Sequence, residues 1–274
     1  MEPAIFTSFD SSLSLAQAAA LIRDAGFRRI AIGAGGGQPG YLTAEGRAEI
    51  RRLVAQHNLG IDSVHAPFPD GDRLFAIDEA ERLDSVRLCK TALEAAAELD
   101  GRVVVIHLIQ PYGIPAGPVR DRMVNQGRRS VATLADHAAQ CQVKLALENG
   151  QRDAYDQVLV DLLTEFDVPH VGLCYDSGHE NVRSACFGLL ERFGHRLFAL
   201  HVHDNEGADT HVLPGEGTID WQEFRRVVHG LDFTGDLLIE AGTRNSEFKA
   251  PVVFLAEAYR RAQALCQANS ASCR

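Results

Sequence analysis

Short apolar runs alternate with stretches of helical periodicity along the whole chain. The runs cover residues 4–9, 29–33, 60–65, 103–108, 143–148, 170–176, 197–203 and 236–240, and each is nearly all apolar. Parallel strands buried on both faces have this appearance. The first helical stretch is capped by Ser14, carries Leu15, Ala18, Ile22 and Ala25 at three- and four-residue spacing, and closes at Gly26. Thr43 caps a second, with Ile50, Leu53, Val54 and His57 on one face. Further helices are predicted over residues 78–99, 119–141, 155–166, 182–193, 221–229 and 251–266. Eight β–α units with no linker or low-complexity break predict an α/β fold, a single (β/α)8 barrel over residues 1–274.

Polar residues fall at the C-terminal ends of these runs. His65, His107, Glu148 and Asp176 end or nearly end strands three to six; His201 and His203 lie at the end of strand seven, and Glu240 ends strand eight. In a barrel all of these ends open onto one mouth, where active sites are built. The loop after strand seven adds Asp209 and His211 before Pro214-Gly215-Glu216-Gly217 turns the chain into the next helix. A buried polar group without a partner costs about 2–7 kcal/mol. Imidazoles mixed with carboxylates therefore point to a divalent metal. Each residue also has a plainer role: a strand-end histidine can be a hydrogen-bonded core residue, Asp176 with His179 a helix cap, Asp209 a solvated charge and His203 a polar rim residue. Glu148 and Glu240 are harder to explain so, because each follows an apolar run. His57, His137, His170, His195 and His229 sit in helical or pre-strand positions and receive no role. The glycines at 33 and 35–37 lack the spacing of a nucleotide fingerprint and are read as a mobile loop.

A net charge of −10 disfavours nucleic acid, whose affinity depends on phosphate neutralisation by Lys and Arg. Cys89, Cys141, Cys174, Cys186, Cys266 and Cys273 form no CxxC pair and are expected as reduced, packed thiols. The N-terminal residues lack a signal pattern, and no apolar run approaches 18 residues. A cytoplasmic protein without membrane contact is expected, with homo-oligomerisation left open.

VHAPF, VVVIHL, LALENG, CYDSGH, LHVHDN, the D-x-H before PGEGTIDW, and LIEAG together resemble the xylose-isomerase-like barrel superfamily. That group holds sugar and sugar-phosphate isomerases and epimerases, and also apurinic-site phosphodiesterases of the endonuclease IV type. The resemblance follows strand order over nearly the whole chain. From the ketose 3-epimerase branch it implies that Glu148, Asp176, His201 and Glu240 hold one divalent ion (Mn, Mg, Co or Zn), with His179 touching substrate oxygen. We assign His203 to substrate contact as well. Where that branch has an arginine six residues beyond the metal histidine, this chain has Gly207. From the endonuclease branch the resemblance implies a multinuclear zinc site. His65, His107 and Glu148 would hold a first ion; Glu148, Asp176, His201 and Glu240 a second; His179, Asp209 and His211 a third.

Charge separates the two branches. The mouth loops AGGGQPG, APFPDGD, IQPYGIPAGP and DNEGADT are neutral or acidic, and the paired arginines at 51–52, 128–129, 225–226 and 260–261 fall on predicted helices. A small polyhydroxylated substrate is therefore expected rather than DNA. The implied chemistry is proton transfer next to a carbonyl through an enediolate, with Glu148 and Glu240 as the catalytic acid and base. A trinuclear-zinc phosphodiesterase and a non-catalytic metal-binding barrel are the alternatives.

Overall fold

The computed structural model describes residues 1–33, 40–110, 112–184 and 187–267. Eight parallel strands close on one another in sequence order: β1 (Pro3–Phe6), β2 (Arg29–Ile32), β3 (Gly60–His65), β4 (Val103–Ile106), β5 (Lys144–Glu148), β6 (Val171–Asp176), β7 (Leu197–Val202) and β8 (Leu237–Ile239). Around them run α1 (Leu15–Ala25), α2 (Ala44–Gln56), α3 (Glu79–Glu98), α4 (Pro118–Cys141), α5 (Asp153–Glu165), α6 (Ser177–Val182), α7 (Gly188–Phe193), α8 (Trp221–His229) and α9 (Pro251–Cys266). The expected (β/α)8 barrel is the fold. Ser14 caps α1 through a reciprocal capping box with Gln17, and Asp78 and Asp220 cap α3 and α8.

Side-chain parity on the strands places the site. Val104, Ile106, Leu145, Leu147, Leu173 and Leu200 pack in the cluster that holds the helix residues. Val103, Val105, Ala146, Cys174 and Ala199 form a separate cluster made of strand residues, as do Ala4, Phe6, Ala31 and Leu238. These two small clusters fill the barrel interior, where mostly small residues suit the limited width. Because side chains alternate along a strand, the next inward positions after Val105, Ala146, Cys174, Ala199 and Leu238 are His107, Glu148, Asp176, His201 and Glu240. The same parity that buries the lumen thus directs all five towards the mouth.

Several boundaries differ from expectation. The first strand ends at Phe6, where Phe9 N donates to Phe6 O and turns the chain. Expected helix 182–193 is two short helices, α6 and α7. Asp176 caps α6 directly after β6 by accepting from His179 N at 2.6 Å, so helix begins at Ser177. Phe187, in the left-handed region at φ 55°, starts α7. His107, His203 and Glu240 lie one residue beyond β4, β7 and β8. Cys89, Cys141, Cys174 and Cys266 are free thiols. The glycine loop (34–37), Cys186 and Cys273 fall outside the described residues. No helix among the described residues is long and apolar enough to cross a membrane.

Candidate metal centre

Glu148 lies at the centre of the mouth, fully buried at the end of β5. Its Oε2 is 3.3 Å from His65 Nε2 and 3.2 Å from His107 Nε2; its Oε1 is 3.1 Å from His201 Nδ1. His201 Nδ1 is also 2.6 Å from Glu240 Oε2. The ligand atoms of Glu148, Asp176, His201 and Glu240 all lie within 4.8 Å of one another, as do those of His65, His107 and Glu148. A third group, His179, His203, Asp209 and His211, satisfies the same spacing. Every residue expected at a metal therefore reaches this one mouth. Asp209 is exposed at the rim yet faces the cluster: its Oδ1 is 3.1 Å from His211 Nε2 and its Oδ2 accepts from Gln151 at 2.6 Å.

The ring nitrogens test whether these groups suit a metal. His65 Nδ1 donates to Ala66 O, His107 Nδ1 to Asp72 Oδ2, His179 Nδ1 to Asn149 O and His211 Nδ1 to Glu240 O, at 2.9, 3.2, 2.8 and 2.8 Å. Those oxygens only accept, so Nδ1 carries the proton and Nε2 presents a lone pair. The Nε2 lone pairs face Glu148 Oε2 or Asp209, which are acceptors too. With the rings neutral, such an arrangement needs a cation between the two sides, and the outer hydrogen bonds are those that orient metal-binding imidazoles. In addition, Asp176 Oδ2 and His201 Nε2 are buried without a hydrogen-bond partner among the described residues. The residues fit a divalent ion.

Without the ion the same groups hold charge in other ways. Burial alone would lower His107 and His201. Glu148 and Asp72 beside His107, and Cys174, Glu240 and Glu148 beside His201, hold both well above the ordinary imidazole value. Burial would raise Glu148, yet His201 and His107 keep it well below the usual carboxylate range. Burial would likewise lower His211, and its bond to Asp209 with Glu240 nearby pushes it up to about 10.

His203 differs from its expected role. It is fully buried and does not line the cavity above the cluster. Its ring stacks on His211 at 3.9 Å with an interplanar angle of 11°, and Nε2 lies 3.1 Å from Asp176 Oδ1. Parallel stacked rings cannot both aim in-plane lone pairs at one point, so His203 and His211 do not serve the same ion in this geometry. Gly178 leaves the room for this ring, since a Cβ there would stand 1.9 Å from His203 Cε1.

Sequence reading missed several supporting residues. Asp72, buried in the β3–α3 loop, fixes the His107 ring. Asn149 holds the backbone of Asp176 from both sides, accepting from its N–H and donating to its carbonyl. Tyr112, at φ 59°, brings its hydroxyl 3.2 Å from His179 Nε2. Asp204 accepts from Gly215 N, Ile219 N and Trp221 Nε1, at 2.8, 3.2 and 2.8 Å, and so braces the loop carrying Asp209 and His211. Asp72 stands between Gly71 and Arg73 and Asp204 between His203 and Asn205, so nothing local marked them, nor Asn149 or Tyr112.

Above the cluster is a cavity of about 530 Å³, lined by Phe6, Phe9 and Phe68 beside His65, His107, His179, Asp209, His211 and Glu240. Glu240 opens onto it, while Glu148 lies beneath. The expectation of a mouth without cations fails at one place: Arg244, in the loop after β8, also lines the cavity. That loop is none of AGGGQPG, APFPDGD, IQPYGIPAGP and DNEGADT.

Fold and site define a (β/α)8 barrel with metal-competent strand ends. The xylose isomerase-like TIM barrel family model matches residues 19–265, and the chain belongs to that family. It is 30% identical over 245 residues to the uncharacterized protein y4fM of Sinorhizobium fredii, covering 80% of this chain and 78% of the relative. A D-psicose 3-epimerase from Enterocloster bolteae is 22% identical over 222 residues, 76% of this chain and 72% of that one. Among solved structures, a D-tagatose 3-epimerase-like protein superposes with a TM-score of 0.80 at 22% identity, covering 97% of this chain and 98% of its own.

Proposed function

We propose that the protein is a divalent-metal-dependent isomerase or epimerase of a small polyhydroxylated substrate, a ketose or its phosphate. The observation that carries this is the approach of two carboxylates, Glu148 and Glu240, to the same His201 nitrogen below a cavity of about 530 Å³. That volume is of the size that takes a small ligand. The relatives described as sugar 3-epimerases support the same substrate class.

Glu148, Asp176, His201 and Glu240 would hold the ion, which when bound polarises a carbonyl and a neighbouring hydroxyl. Glu240, facing the cavity, removes or returns the proton on the exposed side of the substrate. Glu148 handles the second transfer from below, so that an enediolate separates the two steps. His65 and His107 hold the Glu148 carboxylate in place, and Asp72 holds His107. Gln151, Asn245 and Tyr112 line the cavity with hydrogen-bonding groups suited to sugar hydroxyls, and Phe6, Phe9 and Phe68 exclude water from one wall.

One observation favours a second reading. The grouping of His65 and His107 with Glu148, and of His179 and His211 with Asp209, suits zinc at additional positions and hence hydrolysis of a phosphoester. Metal analysis of the purified protein, followed by a screen of ketoses, ketose phosphates and phosphodiesters, separates them. Mn, Mg or Co near one ion per chain with ketose interconversion supports the proposal. Three zinc ions with ester cleavage and no ketose turnover contradicts it.

A further inference from the structure

The loop between β8 and α9 carries Arg244 and Lys249, and neither makes an ion pair among the described residues. Arginines such as Arg47, Arg183 and Arg261 are matched to carboxylates, whereas others such as Arg28, Arg51 and Arg102 make no ion pair among the described residues either, so it is the position of Arg244 that sets it apart. Arg244 is moreover the one Arg or Lys among the described residues that line the cavity.

Its loop is held on two sides. Gly242 N donates to His211 O at 3.2 Å and Asn245 Nδ2 to Thr210 O at 2.6 Å, which fastens the loop to the segment bearing Asp209 and His211. Thr243 N donates to Phe9 O and Thr243 Oγ1 to Asp10 Oδ2, both at 2.9 Å, which fastens it to the loop after β1. Gly242 permits the close approach, since a Cβ there would stand 2.9 Å from Phe9 O. Lys249 Nζ donates to Arg244 O at 2.8 Å and brings a second positive charge to the same loop. Three nearby carboxylates are already occupied, and Glu247 on the same loop forms no ion pair with Arg244 among the described residues. Asp10 accepts from Ser12 and Thr243, Asp209 from Gln151 while facing His211, and Glu216 from Leu213 N and Ser246. An unmatched guanidinium on a braced loop at the rim of a cavity is a site for an anion, and its planar fork suits phosphate oxygens.

We propose that the substrate is a phosphorylated monosaccharide whose phosphate is held by Arg244, with Lys249 adding to the local potential, while the carbonyl end reaches Glu148 and Glu240. This rests on the isomerase reading for the reaction, though the anion site stands on geometry alone. The test compares kcat/KM for a ketose phosphate and the corresponding free ketose in the metal-loaded protein and in Arg244→Ala. A charge-assisted hydrogen bond of this kind implies that the phosphate-to-free ratio falls about 10–100-fold in the variant, mostly through KM. A ratio unchanged by the substitution, or a wild type that prefers the free ketose, overturns the proposal. If neither ketose turns over, the isomerase reading fails separately, and inorganic phosphate binding decides the anion site. Binding weakened at least tenfold in Arg244→Ala upholds it; equal binding by both proteins overturns it.

Discussion

One oxygen of Glu148 lies within 3.3 Å of two imidazoles, and its other oxygen faces a third. Replacing it by Gln keeps the shape but removes the charge and turns an NH2 towards one of those partners. Glu148→Gln should lose metal and turnover together, with a rate loss of about 10²–10⁴-fold. Metal content and turnover measured on the same sample check this; full turnover with bound ion would remove Glu148 from its role. Asp72 acts one contact further out. Asp72→Ala should leave the fold intact while metal affinity drops about 10–100-fold, because the His107 ring loses its fixed tautomer and orientation. Competition with a chelator measures the drop. His65, His107, Glu148, Asp176, His201 and Glu240 were legible in the sequence because each breaks an apolar run at a strand end, while His179, Asp209 and His211 came from the motifs of the resemblance. Asp72 was not, since its partner lies 35 positions away. The burial of His203 was not legible, because sequence does not reveal that Gly178 leaves room for its ring.

At the level of elements, strand parity explains why the mouth could be read at all. Inward positions are Ala146 then Glu148, Cys174 then Asp176, and Ala199 then His201, so each of these three strands delivers one polar side chain as it leaves the barrel. The split of α6 from α7 was hidden because the helical apolar pattern starts at Val182, whereas the Asp176 cap starts helix five residues earlier at Ser177. The long β7–α8 connection has no periodicity, and its shape comes from Asp204. Removing that buried carboxylate leaves several backbone N–H groups and the Trp221 indole without an acceptor. Asp204→Ala should therefore lower stability by about 3 kcal/mol and weaken metal retention through Asp209 and His211. Denaturant unfolding with metal analysis tests both, and a neutral result would show that the loop holds itself.

For the whole molecule, eight apolar runs alternating with helices made the barrel legible, and the family resemblance added the order of the motifs. The charge balance was legible only as a sum: a net charge of −10 conceals the unmatched Arg244 at the mouth. The protonated histidines of the metal-free state give a pH dependence. His201 holds its proton well above the ordinary imidazole value without the ion, because Cys174, Glu240 and Glu148 outweigh its burial, and ligation requires the neutral ring, so binding near neutral pH expels that proton. Metal affinity should thus rise with pH between about pH 6 and 8, with proton release visible by calorimetry in buffers of different ionisation enthalpy. Affinity independent of pH would mean that the imidazoles do not bind the ion. The central claim is proton transfer at carbon, assisted by a metal held at Glu148, Asp176, His201 and Glu240. NMR of a ketose phosphate incubated with the metal-loaded protein in heavy water tests it most directly. Deuterium should enter at the carbon beside the carbonyl, and should fail to enter after metal removal or with Glu148→Gln. Isomer or epimer formation without any solvent deuterium, or exchange that continues after the metal is stripped, would contradict it.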